Sequence, residues 1–267
     1  MGDVAFPAMP VHTFDRDTSL ERLDDTTFGG FLDQRWTIGE VPNGGFAMGL
    51  MLAAVQQVSE HPDPLTTTAH FLSPTSVGPI QVRTEVAKAG RSTTTVATSL
   101  VQNDRERIRM LTTMTDLASR RGPSQRFLPP ATLEPPFETR RNSFMQNFPE
   151  NFEFRIPVSV AGGVLGEPSG EPHMGGTIAF ADGRPPDLRA IPVMADGFAP
   201  VAFNLGYQAW TPTIEMTVHF WNHPVPGPVT VWLTTEIVEG GFHDETADLW
   251  DADGTLIARS RQLALIL

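Results

Sequence analysis

His70-Phe71 is followed, after six intervening residues, by Gly78-Pro79, and the same spacing returns at His219-Phe220 and Gly227-Pro228. Each residue of these pairs lies 149 positions from its counterpart. The register persists downstream, where Val82 meets Val231, Asp104 meets Asp253 and Ile108 meets Ile257. A shared register over roughly forty residues without a net gap marks two copies of one unit, and such a repeat governs the whole fold.

Working outward from the first copy, Phe28 to Ile38 has strand-like Phe, Trp and Thr content and ends at Gly39. Pro42-Asn43-Gly44-Gly45 then leads into Phe46-Ala47-Met48-Gly49-Leu50-Met51-Leu52-Ala53-Ala54-Val55. That run is apolar on nearly every side, which predicts a buried helix rather than a surface one. His61-Pro62-Asp63-Pro64 stops it. Four segments rich in Val, Thr and Ile follow, at 65–73, 79–89, 92–102 and 106–117, with turn residues at Gly78-Pro79, Gly90 and Asn103-Asp104. The second copy opens with alternating Phe152, Phe154, Ile156 and Val158 and is interrupted by a Gly/Pro loop at 161–176. Thr177-Ile178-Ala179-Phe180 resumes it, Asp187 to Leu205 replaces the helix, and four β-rich segments close the chain, with Asp251-Ala252-Asp253-Gly254 as the second hairpin turn.

The expected division is an N-terminal unit over 1–118, of which 1–26 is an irregular arm, a Pro- and Arg-rich linker over 119–150, and a C-terminal unit over 151–267. A fully apolar helix needs cover on most of its circumference, which a strongly curved antiparallel sheet supplies. The open edges of one such sheet are met by the other. The predicted class is therefore α+β, a double hotdog: two tandem units, each a curved antiparallel sheet wrapped around a central helix.

Composition narrows the function. The formal net charge of −12 argues against nucleic acid and anionic membrane surfaces as main partners. With no cysteine, disulfide and thiolate chemistry are excluded. No apolar run approaches the ~20 residues of a membrane span. The N-terminus lacks a secretory layout, so the expected compartment is the cytoplasm. The histidines show no metal-ligand spacing. The glycines form no phosphate loop, and no Gly-x-Ser-x-Gly elbow is present. The expectation is an enzyme without metal or cofactor.

Function should lie where the copies differ. Asp196 interrupts the apolar run Ile191-Pro192-Val193-Met194-Ala195-Asp196-Gly197-Phe198, opposite Ala47 in the first copy. A buried carboxylate is costly unless it is paired or used; Asp-Gly is also a common turn pair, and that reading stands beside the functional one. Thr213 opposes Pro64, and Gln262 opposes Thr113. A carboxylate, a hydroxyl and a carboxamide together can hold and polarise one water molecule. Asn43-Gly44-Gly45-Phe46 offers both an N-cap and free first-turn amides that could meet an oxyanion. His70 and His219 repeat and so read as architectural, while Glu215 either modulates Asp196 or faces solvent.

Val193-Met194-Ala195-Asp196, Thr213-Ile214-Glu215 leading to His219-Phe220, and Ala258-Arg259-Ser260-Arg261-Gln262 resemble the type II (TesB-like) acyl-CoA thioesterases. Pro42-Asn43-Gly44-Gly45-Phe46, Thr68-Ala69-His70-Phe71-Leu72-Ser73-Pro74 and Leu249-Trp250-Asp251-Ala252-Asp253-Gly254-Thr255-Leu256 agree with that family, so the resemblance covers most of 28–118 and 152–267. It implies one active site per chain that hydrolyses an acyl-CoA thioester to free acid and CoA, with Asp196, Thr213 and Gln262 orienting the attacking water. Gly44, Gly45 and Phe46 would stabilise the oxyanion and contact substrate, and the acyl chain would lie against Phe46, Met48 and Phe198. Arg91, Arg140 and Arg141 are candidates for the CoA phosphates. The resemblance leaves room for a homo-oligomer. Pro192 and Pro200 flank Asp196 and predict a short or kinked helix there. The alternative is a hotdog that binds acyl-CoA without turning it over. Enoyl-CoA hydration is weaker, because no His follows Asp196 before His219.

Overall fold

In the computed structural model, which describes residues 11–128, 132–138 and 147–267, the arm expected to be irregular carries a short helix, α1 (Thr13–Asp17). An aromatic anchor explains this correction. Phe14 is fully buried and packs edge-on against Trp36 and Phe46. The buried Arg184 guanidinium reaches back to Asp15 at 2.7 Å and so ties α1 to the second copy.

Strand β1 (Thr27–Leu32) ends earlier than the Phe28–Ile38 segment suggested. Asp33 caps a single 3-10 turn, Gln34–Trp36, by accepting the Arg35 amide, and that turn drops Trp36 into the core. Helix α2 (Gly44–Val58) follows, and every residue from Gly45 to Val55 is buried. Four long strands follow, β2 (Asp63–Phe71), β3 (Gly78–Ala89), β4 (Thr94–Gln102) and β5 (Arg105–Thr115); the last three form a meander and β2 pairs with β5. Asn103 and Asp104 join β4 to β5 with φ of 53° and 57°, the left-handed pair that a two-residue hairpin needs.

The Pro/Arg-rich segment contributes only the edge pair Phe137–Glu138 to the sheet among its described residues. In the second copy, β6 (Phe152–Pro157) leads through a 3-10 turn and the one-turn helix α3 (Gly162–Leu165) to β7 (His173–Phe180). That strand begins within the expected loop, because Gly175 and Gly176 let neighbouring backbones approach: a Cβ there would stand 2.4 Å from the Val231 carbonyl or 2.3 Å from that of Arg155. The long helix is replaced by α4 (Ile191–Ala195) and a 3-10 turn at Val201–Phe203, broken where Pro192 and Pro200 predict. Strands β8 (Thr213–Phe220), β9 (Val229–Thr234), β10 (Phe242–Trp250) and β11 (Leu256–Leu265) complete the chain.

All the numbered strands join one open antiparallel sheet in the order β1-β3-β4-β5-β2-β8-β11-β10-β9-β7-β6, with short strands at its edges. The order is mirrored about the β2–β8 junction, as a double hotdog requires. Thr217 lies opposite Thr68 there, and their hydroxyls bond at 2.9 Å across a separation of 149 residues. The pseudo-twofold axis therefore passes through this pair. His70 and His219 lie exposed on the outer face of the same strands.

On the inner side, α2 packs against α4 without intervening side chains. A Cβ on Gly45 would sit 2.3 Å from the Pro192 carbonyl oxygen, and one on Gly49 would sit 2.8 Å from that of Arg189. Glycines spaced by four share a helix face, so backbone meets backbone along this seam. Among the described residues, no helix is long and apolar enough to cross a membrane.

Candidate active site

Asp196 caps the C-terminal end of α4, where the carbonyl end of the helix disfavours a negative charge. Its side chain is met by the opposite kind of terminus, the first turn of α2. Asn43 caps that helix by accepting the Phe46 amide at 2.8 Å. The Asn43 Nδ2 donates to Asp196 Oδ2 at 2.8 Å and to the Asp196 carbonyl at 3.0 Å, and the Gly45 amide donates to Oδ2 at 2.9 Å. Burial pushes the Asp196 carboxyl up to about 6, against the opposing pull of bonds from Gly45, Asn43 and Gly44. The group keeps partial exposure although protein surrounds it closely.

Thr213 and Gln262 come together on the inner face of the sheet. Strict alternation would put Thr213 on the outer face with Glu215 and Thr217, but the register shifts between Thr213 and Glu215. This bulge turns Thr213 inward, and its hydroxyl donates to Gln262 Oε1 at 3.0 Å. Glu215 stays outside, where it accepts a hydrogen bond from the Thr217 hydroxyl.

A residue absent from the sequence-based set extends the Thr213–Gln262 pair. Glu245, on β10 directly opposite Gln262, is buried; its Oε1 accepts from Gln262 Nε2 at 2.7 Å and its Oε2 from the Val201 amide at 2.8 Å. Burial raises the Glu245 carboxyl to about 7, opposed by the Val201 and Gln262 bonds and reinforced by the charges of Asp196 and Asp244. Asp196 and Glu245 thus feel one another's charge, while the hydrogen bonds form two sets, Asn43 and Gly45 on Asp196, and Val201–Glu245–Gln262–Thr213. Two strand positions from Glu245 on the same face, His243 is buried with neither ring nitrogen bonded to the described protein. The 149-residue register could have found Glu245, since its counterpart is the buried Val96.

The expectation for Gly44, Gly45 and Phe46 needs correction. The Gly45 amide is engaged by Asp196 and the Phe46 amide by Asn43, so neither is free for an oxyanion. The Phe46 ring is wholly enclosed and stacks on Trp36 at 4.5 Å, and Met48 is equally buried. These residues hold the carboxylate and the core instead. Phe198 lines a small apolar hollow of about 30 Å³ with Phe154, Ile156, Val164, Leu165 and Gly197, the residue after Asp196. Arg91 borders a separate hollow with His61 and Arg120, while Arg140 and Arg141 lie outside the described residues. No cluster of metal-ligating side chains occurs among the described residues.

The mirrored sheet order around two inner helices defines a double hotdog protein. The acyl-CoA thioesterase N-terminal domain matches residues 32–115 and the C-terminal domain residues 126–266, so the chain belongs to the acyl-CoA thioesterase family. A Thermobifida fusca protein provisionally described as a thioesterase II has the same structure with a TM-score of 0.90, at 29% identity, covering 97% of this chain and 98% of its own. An uncharacterized protein of Mycobacterium tuberculosis is 27% identical over 90% of each chain. The acyl-CoA thioesterase II TesB2 of Mycobacterium marinum shares the fold, with a TM-score of 0.73 at 17% identity over 95% of this chain and 96% of its own.

Proposed function

We propose that this protein hydrolyses an acyl-CoA thioester to the free carboxylic acid and CoA, with Asp196, Thr213 and Gln262 as its catalytic residues. The reading is carried by an enclosed carboxylate that burial raises to about 6 and whose charge is felt by Glu245, the acid bonded to the Thr213–Gln262 pair. A general base works best with a pKa near the working pH. Asp196 takes a proton from water as the water oxygen bonds to the thioester carbonyl carbon. Collapse of the tetrahedral adduct breaks the C–S bond, and the departing thiolate receives the proton from the Asp196 carboxyl. The apolar lining of the hollow beside Phe198 suits an acyl chain in character, and side chains there have to move to admit one. The work of Gly44 and Gly45 in this scheme is to fix the carboxylate rather than to bind the oxyanion.

The test is Asp196→Asn assayed by thiol release over a panel of acyl-CoA esters, with melting temperature as the folding control. Hydrolysis should vanish while the fold persists, and wild-type turnover in the variant refutes the assignment. Thermal stabilisation of the wild-type protein by these esters without thiol release would instead identify a binding protein.

A further inference from the structure

We infer that Glu245 is a positioning residue that sets the hydrogen-bond polarity of the hydrolytic site; this rests on the hydrolytic reading above and adds a fourth member to it. Glu245 is 3% exposed and no cation pairs with it among the described residues, so its carboxyl is balanced by neutral donors alone. An isolated buried acid is an expensive way to accept a backbone amide, and the equivalent place in the first copy is filled by Val96.

Its effect follows from what each group can donate. An ionised carboxylate only accepts, so Gln262 must turn its NH2 toward Glu245 and its carbonyl oxygen toward Thr213. Thr213 then commits its single hydroxyl proton to Gln262. What Thr213 offers a water is lone pairs. A water that donates one proton to Asp196 and the other to Thr213 keeps its own lone pair free for the thioester carbon. Reverse the Gln262 carboxamide, and Thr213 would accept from it and aim its proton at the water oxygen, occupying the electrons that attack. The Val201 amide anchors the arrangement from behind, because it holds Glu245 Oε2 in place. The titratable groups facing Glu245 are Asp196 from the end of α4, with Asp244 and His243 on its own strand.

Glu245→Gln tests this at constant shape. The Val201 amide requires the oxygen of the new carboxamide, which leaves its NH2 facing Gln262 and forces the Gln262 side chain to flip. We expect kcat to fall on the order of tenfold or more with KM nearly unchanged. The wild-type step in kcat near pH 7 should also disappear. The exchange variant Glu245→Gln/Gln262→Glu restores the order: the carboxamide now on β10 donates to the carboxylate now on β11, which accepts from Thr213 again. Its kcat should exceed that of Glu245→Gln alone, a recovery that a merely structural acid would not give and that also decides the matter if the single variant folds poorly. Wild-type kcat and pH profile in Glu245→Gln, or a double variant no better than the single one, would overturn the inference. Asp196→Asn is measured alongside: if it keeps turnover, the hydrolytic reading itself fails, whereas an inactive Asp196→Asn beside a normal Glu245→Gln sinks only the role of Glu245.

Discussion

Adding one methyl group at Gly45 should disable the site from behind. A Cβ built there stands 2.3 Å from the Pro192 carbonyl oxygen, 2.7 Å from its carbon and 2.8 Å from the Asp196 Cβ. Two of those three atoms are backbone and cannot swing aside. Relieving the oxygen contact to 3.0 Å needs a movement of about 0.7 Å, and ordinary contact at 3.4 Å needs about 1.1 Å. The movement has to separate α2 from α4, which carries Asp196 away from the Asn43 and Gly45 donors that hold it. A misplacement of about 1 Å costs on the order of 10²-fold in rate. Overpacking of this kind costs about 1–3 kcal/mol, a fall in Tm of about 2–12 °C. Gly44→Ala is the comparison, since its Cβ meets the edge of the Phe71 ring at 2.8 Å, a side chain that can turn. Thiol release and thermal melting on both variants should show Gly45→Ala far slower and less stable, with Gly44→Ala between it and wild type. Wild-type kcat and Tm in Gly45→Ala would refute the claim that this backbone seam positions the acid.

Further outcomes follow from the buried titratable groups. Because burial raises Asp196 from 3.8 to about 6, the native state holds this proton more tightly than the unfolded chain, and stability is lost as pH rises through that window. Asp196→Asn should therefore melt above wild type at pH 8, by on the order of 2–3 kcal/mol, with the gap closing below pH 4; a lower Tm at pH 8 contradicts this. In the wild-type enzyme kcat/KM should climb as pH rises through about 6, and a profile flat from pH 5 to 8 would exclude Asp196 as the base. Burial depresses His243, so its contribution to stability is intact above its ordinary 6.5 and fades as pH falls below it. His243→Leu should raise Tm more at pH 5 than at pH 8, and an equal shift at both would deny His243 that role. Arg184→Ala removes a buried guanidinium that bonds the partly exposed carboxylates of Asp15 and Asp187, and chemical denaturation should show a loss of about 1–3 kcal/mol; unchanged stability would show that this contact does not hold α1.

The 149-residue register carried much of the architecture, because antiparallel pairing about a pseudo-dyad turns a linear offset into a spatial one: Thr68 meets Thr217. It also marked Asp196, Thr213 and Gln262 as places where the copies differ. Local signals did less. Phe14 is a lone aromatic in a polar stretch, with no periodicity to declare that its ring is buried. Asn43 is legible as an N-cap, but the carboxylate it also serves lies 153 residues away. Thr213 faces inward only through a bulge, which alternation cannot foresee. In Asp244-Glu245, both acids look equally solvated until Glu245 is set against Val96.

The Asn43–Asp196 hydrogen bond crosses from one repeat to the other. Built from two separate chains, a centre of this kind would exist only while the chains stayed together, and it would dissolve with dilution. Here both contributors share a backbone, so the encounter is intramolecular and its effective concentration is set by chain length rather than by abundance. As far as these repeats are concerned, activity per molecule is indifferent to how scarce the protein becomes. Fusion also changes what a mutation does. In a symmetric pair every substitution strikes twice, whereas Val96 and Glu245 occupy equivalent places and have been free to diverge, one into packing and the other into a polar network.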